Sequence, residues 1–370
     1  MTPHLDMTAT ALSDAVHECG GIGVAPRPSC LLCGKTGTEL YTGLVDWLFG
    51  VPGSWGLRTC RTCGIIWLDP QPTSEEIPKL YSRYYTHRGA AAPTRSERIR
   101  DEVVKCALAR LGYRVGRSRY LLPRLLFRAR SVARATSLDV LAIPASEIGS
   151  LLDVGCGDGQ FIGKMRSLGW DVSGVDPDPS AVACGHRQGF RVFQGTIADV
   201  PEDARYDVIT LNHVIEHVAD PIDLLRECRR RLRAGTGRLI ITTPNVKSLG
   251  HRWFGQHWRG FEIPRHLFLF CPQALSEAVS RAGLRVNMIR SETRLARMIY
   301  NTSVYAKAGE RELGGRVQFN AMTKIASYLF QAMEDAAICF KKDVGEEILA
   351  SAVHPSNHDS FPDSTHIVGS

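Results

Sequence analysis

Leu151-Leu152-Asp153-Val154-Gly155-Cys156-Gly157-Asp158-Gly159 decides the fold. An apolar run leads into three glycines at alternate positions, bracketed by Asp153 and Asp158. A second apolar run, Val172 to Val175, ends at Asp176. Strand, glycine turn, helix, strand and acidic tip make a nucleotide-binding βαβ unit, the opening of a doubly wound α/β sheet. The loop reads G-x-G-x-G, whereas the dinucleotide fingerprint reads G-x-G-x-x-G. A pyrophosphate needs backbone N–H groups at a helix N-terminus. Glycines spaced as here have another use, because a backbone without Cβ atoms can lie close against a ligand.

The spacing suits a sulfonium nucleoside, S-adenosylmethionine, with Asp176 accepting from both ribose hydroxyls. The bland alternative is a glycine turn in an ordinary α/β domain. From about Ile148 to Val353 the chain resembles the class I S-adenosylmethionine-dependent methyltransferases. The likeness rests on the glycine loop, on Gly174-Val175-Asp176, on Asp207 to Val218 with its Glu216-His217-Val218, and on Gly237 to Asn245. Glu-His-Val followed by Asp220-Pro221 is typical of the small-molecule branch, which includes quinone and sugar methyltransferases. The resemblance implies a Rossmann-like seven-stranded sheet whose last strand is antiparallel. It also implies cofactor contacts from Asp153, Gly155, Cys156, Gly157, Gly159, Asp176, Pro177, Thr196, Ile197, Asn212 and His213. Family members often carry an acidic residue after the third strand for the adenine amine. Here Gly195-Thr196-Ile197 stands in that place, and Thr196 or Asp199 is left to supply the contact.

Two C-x-x-C pairs are the second strong signal. Cys30-Leu31-Leu32-Cys33-Gly34 and Cys60-Arg61-Thr62-Cys63-Gly64 offer four sulfurs from two tight turns, which matches structural zinc in a tetrahedral site. A redox C-x-x-C is the competing reading. A closed four-thiolate site has no open position, so such a zinc folds its segment and does not catalyse. The other seven of the eleven cysteines are scattered singly, which argues against a disulfide framework. Trp67 to Thr73, Glu75-Glu76-Ile77 and Tyr81-Ser82-Arg83-Tyr84-Tyr85 complete a segment similar to the leader of a bacterial methyltransferase subgroup. Its members often accompany sugar, surface-polysaccharide or secondary-metabolite enzymes, and the sugar C-methyltransferases carry a comparable zinc module.

The 370 residues, 44% hydrophobic and 22% charged, fit a globular protein of two or three domains. No run approaches the ~20 apolar residues of a membrane span. The first residues carry Asp6 and Asp14 and no basic-then-apolar leader pattern, so the expected location is the cytoplasm. From Arg95 to Arg134, twelve basic residues face three acidic ones, more charge than the +7 of the whole chain. Apolar residues recur there at helical spacing, which predicts linker helices with solvated arginines. Sharper alternatives are attraction of a phosphorylated substrate, RNA or an anionic membrane. The expected organisation is a disordered tail over 1–27, a zinc ribbon over 28–88 and a basic helical linker over 89–146. The methyltransferase domain follows over 147–353, with a helical insertion at 292–342, and a disordered tail over 354–370. Helices are expected near 161–168, 179–188, 221–233 and 273–282, and strands near 191–194, 208–211, 238–242, 284–289 and 346–353.

Chemistry belongs at the C-terminal edge of the sheet. Two groups qualify: Glu216 with His217, and the loop Trp258 to Leu267, dense in imidazole, guanidinium, carboxylate and aromatic groups. His266 is the expected general base and Arg265 the expected clamp for an acidic substrate group. His217 is the second candidate base, or a brace beside the cofactor. Two enzyme readings follow, methyl transfer to a small polar acceptor or to RNA. The third is a scaffold that keeps the fold without catalysis.

Overall fold

A computed structural model describes residues 17–81, 95–116, 137–309 and 319–355. The chain opens with a hairpin, β1 (His17–Cys19) and β2 (Ile22–Ala25), which turns at Gly20-Gly21 and buries Ile22 and Val24. Residues 17–25 are therefore ordered strands, not the tail expected up to residue 27. Ile22-Gly23-Val24-Ala25 is too short a run, with no polar residue to set a period, to mark a strand in sequence. Next come β3 (Thr38–Leu44), β4 (Trp55–Thr59), β5 (Ile66–Leu68) and β6 (Gln71–Pro72). The first C-x-x-C turn precedes β3 and the second joins β4 to β5. Each is closed by the same pair of bonds, Gly34 N–H to Cys30 O and Cys30 N–H to Lys35 O, then Gly64 N–H to Cys60 O and Cys60 N–H to Ile65 O. Helix α1 (Arg95–Arg110) follows and buries Val103, Val104, Ala107 and Leu108, the positions expected of an amphipathic linker helix. Most of the basic stretch after it, with Pro123, lies outside the described residues, as does the expected tail from residue 356.

The large sheet is built from β7 (Ser150–Val154), β8 (Asp171–Asp176), β9 (Arg191–Gln194), β10 (Val208–Asn212) and β11 (Arg238–Pro244). It is completed by β13 (Arg285–Glu292) and β14 (Glu347–Val353), in the order β13-β14-β11-β10-β7-β8-β9. β14 runs antiparallel to both neighbours and the other pairings are parallel. This is the doubly wound seven-stranded sheet expected. Its strands are apolar on both faces because both are covered. Leu151, Val208 and Ile240 face one hydrophobic cluster, and Leu152, Ile209 and Ile241 face the other. The covering helices include α2 (Gln160–Ser167), α3 (Pro179–Arg187), α4 (Pro221–Arg231) and α6 (Pro272–Arg281). Asp178 caps α3 and Asp220 caps α4, each with proline at the first helical position. Before α6 lies α5 (Leu249–Phe254), and between β13 and β14 lie α7 (Ala296–Ala308) and α8 (Ala321–Phe340).

The cysteine-bearing part is not a bead on a string. β12 (Phe268–Leu269) leaves the methyltransferase-like region to pair with β5, giving a four-stranded sheet in the order β12-β5-β4-β3. Leu267 stitches the junction. Its carbonyl accepts from Leu68 N–H at 3.0 Å and from Gln71 Nε2 at 3.1 Å, and its N–H donates to Glu216 O at 2.7 Å. Trp55, Leu57 and Trp67 share one buried cluster with Phe261, Phe268 and Ile348.

Candidate active site

Strand order reverses at β7, so the crevice lies beyond the carboxyl ends of β7 and β10. The glycine loop fills its floor. Gly155 has φ of 69° and a Cβ there would meet Val214 Cγ2 at 2.8 Å, so this turn excludes any side chain. Gly157 is also left-handed, at φ 53°, yet a Cβ on it would meet nothing within 4 Å. Its open side is where a ligand can lie on the backbone. Asp176 ends β8 and accepts from Gly157 N–H at 2.8 Å and from Asp178 N–H at 2.9 Å, which ties the second strand tip to the loop. Asp153 is buried and accepts from Thr210 Oγ1 at 2.6 Å. Burial raises its pKa to about 7, against the pull of the Thr210 bond.

The remaining cofactor candidates ring this floor in different ways. Cys156 is buried, and burial pushes its thiol up, so it stays a neutral apolar wall. Pro177 is exposed at the β8 tip. Ile197 is buried while Thr196 and Asp199 cap the same turn: Asp199 Oδ2 accepts from Thr196 N–H at 2.7 Å and from its hydroxyl at 3.1 Å. Asn212 Oδ1 accepts from Thr242 Oγ1 at 2.7 Å. His213 has φ of 56° and turns the chain out of β10. Its ring sits between Glu216 Oε1, 3.1 Å from Nδ1, and Glu347 Oε1, 2.7 Å from Nε2. Burial opposes charge on this imidazole, but the two carboxylates win and lift its pKa to about 10. Arg294 pairs with the same Glu347 at 2.8 Å.

A second constellation stands beside the first. Glu216 is fully buried; burial opposes its charge, but the His213 bond outweighs it and holds its pKa down to about 2. Its other oxygen accepts from Thr243 Oγ1 at 3.0 Å. One donor atom each from Glu216, His217 and His266 fall within 4.8 Å of one another. The His217 and His266 rings meet edge to face with centroids 4.6 Å apart. His266 is buried, its Nδ1 2.7 Å from Gly260 O, and burial first and the nearby His217 second push its pKa down to about 3. An imidazole that stays neutral donates from Nδ1 to that carbonyl and keeps a lone pair on Nε2. His217 is only half-buried. Its Nδ1 lies 2.9 Å from Tyr81 Oη and 3.1 Å from Arg265 O.

Arg265 stands in a setting different from the one expected. It is wholly buried, with Nη1 2.8 Å from Asp46 Oδ2, Nη2 3.2 Å from Asp46 Oδ1 and Nε 3.1 Å from Glu262 Oε1. Its guanidinium also stacks on the Phe49 ring, 4.3 Å from the centroid. Asp46 in turn accepts from the N–H groups of Leu48, Phe49 and Val51. The guanidinium is thus committed to this brace between the cysteine-bearing part and the Trp258–Leu267 loop, and no acidic acceptor group reaches it. Sequence reasoning assigned no role to Tyr81 or Asp46. Tyr81 lay inside a recognised stretch, whereas Asp46 is a lone acid between Val45 and Trp47 with no local signal.

The thiolate candidates converge as well. One sulfur each from Cys30, Cys33, Cys60 and Cys63 lie within 4.8 Å of one another, Cys33 Sγ and Cys60 Sγ at 3.5 Å. Paired turns with four sulfurs in that span fit one tetrahedral ion.

A family profile described as "Methyltransferase domain" matches residues 117–288. A ubiquinone biosynthesis O-methyltransferase of Cereibacter sphaeroides is 30% identical over 187 residues, covering 45% of this chain and 75% of that protein. One of Ruegeria pomeroyi bearing the same name is 33% identical over 160 residues, 38% of this chain and 64% of that protein. Among solved structures, a SAM-dependent methyltransferase from Archaeoglobus fulgidus aligns with 63% of this chain and 99% of its own at 19% identity, with a TM-score of 0.39.

Proposed function

This chain belongs to the class I S-adenosylmethionine-dependent methyltransferases, and on that premise we propose that it methylates a small polar acceptor held against Tyr81 and His217. The acceptor class is a sugar, a nucleotide-sugar or a natural-product or polysaccharide intermediate. The observation that carries the reading is the meeting of Glu216, His217 and His266 at the sheet's carboxyl edge, with Tyr81 closing on His217. The relatives' name, O-methyltransferase, supports an oxygen acceptor.

When bound, S-adenosylmethionine supplies a methyl group on a cationic sulfur, open to in-line displacement. The glycine loop, Asp153 and Asp176 are the residues to hold it, with Thr196, Ile197 and Asn212 along the nucleoside. A hydroxyl acceptor must lose its proton as its oxygen takes the methyl group. We assign that proton to His217, because it is the half-exposed member of the cluster, and Tyr81 and Arg265 O fix its ring. Buried His266, held neutral far below physiological pH, stands behind it as a fixed lone pair. Glu216 supplies negative charge that favours the imidazolium formed on His217. Arg265 has a positioning role: Asp46 and Glu262 hold it, and it holds the carbonyl that faces His217. Cys30, Cys33, Cys60 and Cys63 are the ligands we assign to a structural zinc, which keeps Tyr81 and Asp46 at the site.

The test is purified protein with methyl-labelled S-adenosylmethionine and a mixed extract of small molecules and RNA, with and without nuclease. Label in nuclease-resistant small molecules is expected. Label confined to nuclease-sensitive RNA overturns the reading in favour of the basic stretch as an RNA grip.

A further inference from the structure

Helix α8 spends its polar positions unusually. Twenty residues span about 30 Å, and Phe330, Glu334 and Ile338 turn inward against the fold. The opposite, outward stripe is also apolar. Met322, Ile325, Leu329, Met333 and Phe340 recur every three, four or seven residues, so they form one line along the helix. Leu329 is 68% exposed and Phe340 92%. Trp253 of α5, 57% exposed, meets α8 edge to face at Phe330, with ring centroids 6.1 Å apart. Isolated exposed apolar side chains need no explanation, but a contiguous row on a folded helix marks a surface made to be covered.

Charge tells which cover fits. Arg297 and Lys307 on α7, Lys324 on α8, and Lys341 and Lys342 just beyond it are all exposed. Among the described residues from Arg294 to Asp343, the carboxylates are Glu334, Asp335 and Asp343. Glu334 is buried, Asp335 accepts from Thr293 Oγ1 at 2.5 Å, and Asp343 faces Lys247 at 3.5 Å. Among the described residues from Arg294 to Asp343 the exposed charged side chains are therefore these five cations, and Lys341 and Lys342 directly follow Phe340, which gives the apolar row a basic rim at that end. A second copy docking by two-fold symmetry sets the same patch against itself and brings the two basic rims together. A surface of anionic lipid accepts the apolar row among its acyl chains and the cations among its phosphates.

We propose that the outer face of α8, with Trp253 and the basic residues around it, docks this enzyme on an anionic membrane surface. No described helix is long and apolar enough to cross a membrane, so the attachment is peripheral and reversible. The proposal is independent of the acceptor, since the face lies on the outside of the α7–α8 insertion.

Sedimentation of the full-length protein with vesicles tests it, using phosphatidylcholine alone and an equal mixture of phosphatidylcholine and phosphatidylglycerol. Wild type is expected to pellet with the anionic vesicles only, with a blue shift in tryptophan emission that Trp253→Phe removes. Leu329→Asp with Phe340→Asp changes two exposed side chains, leaves the melting temperature in place and abolishes binding. Lys341→Gln with Lys342→Gln weakens binding about tenfold or more, and added salt does the same. No preference for anionic vesicles overturns the proposal. So does binding that survives Leu329→Asp with Phe340→Asp, which places the contact on another basic region. A concentration-dependent dimer that those same substitutions dissolve, without vesicle binding, assigns the face to a second copy instead.

Discussion

The glycine loop and the Trp258–Leu267 loop stand side by side at one edge of the sheet, yet they are made in opposite ways. The first is local. Gly155, Gly157 and Asp176 lie within 21 positions, and their contacts are bonds between consecutive elements. The second is assembled from the whole chain: Arg265 reaches Asp46 across 219 residues, His217 reaches Tyr81 across 136, and β12 pairs with β5. A local site can be kept by any domain that keeps its strands. An assembled one exists only while the cysteine-bearing part is folded against the sheet, so damage far away in sequence falls on the side proposed for catalysis and spares the side proposed for the cofactor.

The largest expected effect comes from the sulfurs. Cys60→Ser, or treatment with a strong chelator, removes the zinc we propose to join the two turns, and structural zinc contributes on the order of 10 kcal/mol to small domains. Elemental analysis is expected to give one zinc per wild-type chain and markedly less in the variant. Calorimetry is expected to show the N-terminal part melting early. S-adenosylmethionine binding, read by titration calorimetry, is expected to persist. Equal loss of cofactor binding breaks the contrast, and wild-type protein without zinc removes the metal assignment.

Asp46→Ala is the sharper cut. It leaves Arg265 buried without its main counter-charge, which costs about 3–5 kcal/mol, together with the three N–H groups that Asp46 caps. Denaturant unfolding is expected to show that loss. Asp46→Leu with Arg265→Met, which removes both charges, is expected to recover part of it. If the single and double variants are equally unstable, the pair is not the brace described.

How much of this was legible follows the same divide. The positions of strands and helices are read from apolar runs and caps such as Asp220-Pro221, which act within a few residues, whereas the seven-stranded sheet and its antiparallel last strand follow from the family resemblance. The C-x-x-C turns are also local, and each closes itself through the same two backbone bonds. Arg265 shows where such reading stops. Nothing near it in sequence distinguishes a guanidinium waiting for a substrate from one already paired, because the deciding carboxylate is Asp46. Likewise Ile22 and Val24 look like tail residues until β6 supplies a partner for their strand.

On the cofactor side, Gly157→Val isolates binding from folding. The Cβ meets open space, so the cost to the fold is the left-handed backbone, about 1–2 kcal/mol. The same branched side chain stands where the ligand is to lie, and affinity for S-adenosylmethionine is expected to fall at least a hundredfold. Gly155→Val is the control, since its Cβ strikes Val214 and both properties suffer. If Gly157→Val binds normally, the open side of the loop is not the cofactor's place.

The finest test is a proton. His213 lies between the two regions, held by Glu216 and Glu347, and its pKa stands at about 10 against an ordinary 6.5. A raised folded-state pKa means that the folded protein holds this proton more tightly than the unfolded chain. The stabilisation is then full below 6.5, declines as pH rises above it, and is gone beyond about 10. His266 has the opposite sign. Its pKa of about 3 makes burial favourable above 6.5, and that contribution is lost as the pH falls toward 3. Nitrogen NMR of histidine-labelled protein at pH 8 is therefore expected to show an imidazolium signal that His213→Gln removes, and, among the neutral rings protonated on Nδ1, one signal that His266→Gln removes. Finding His213 neutral at pH 8 would mean that Glu216 and Glu347 are not both charged. The negative charge assigned to Glu216 beside His217 would then fail with it.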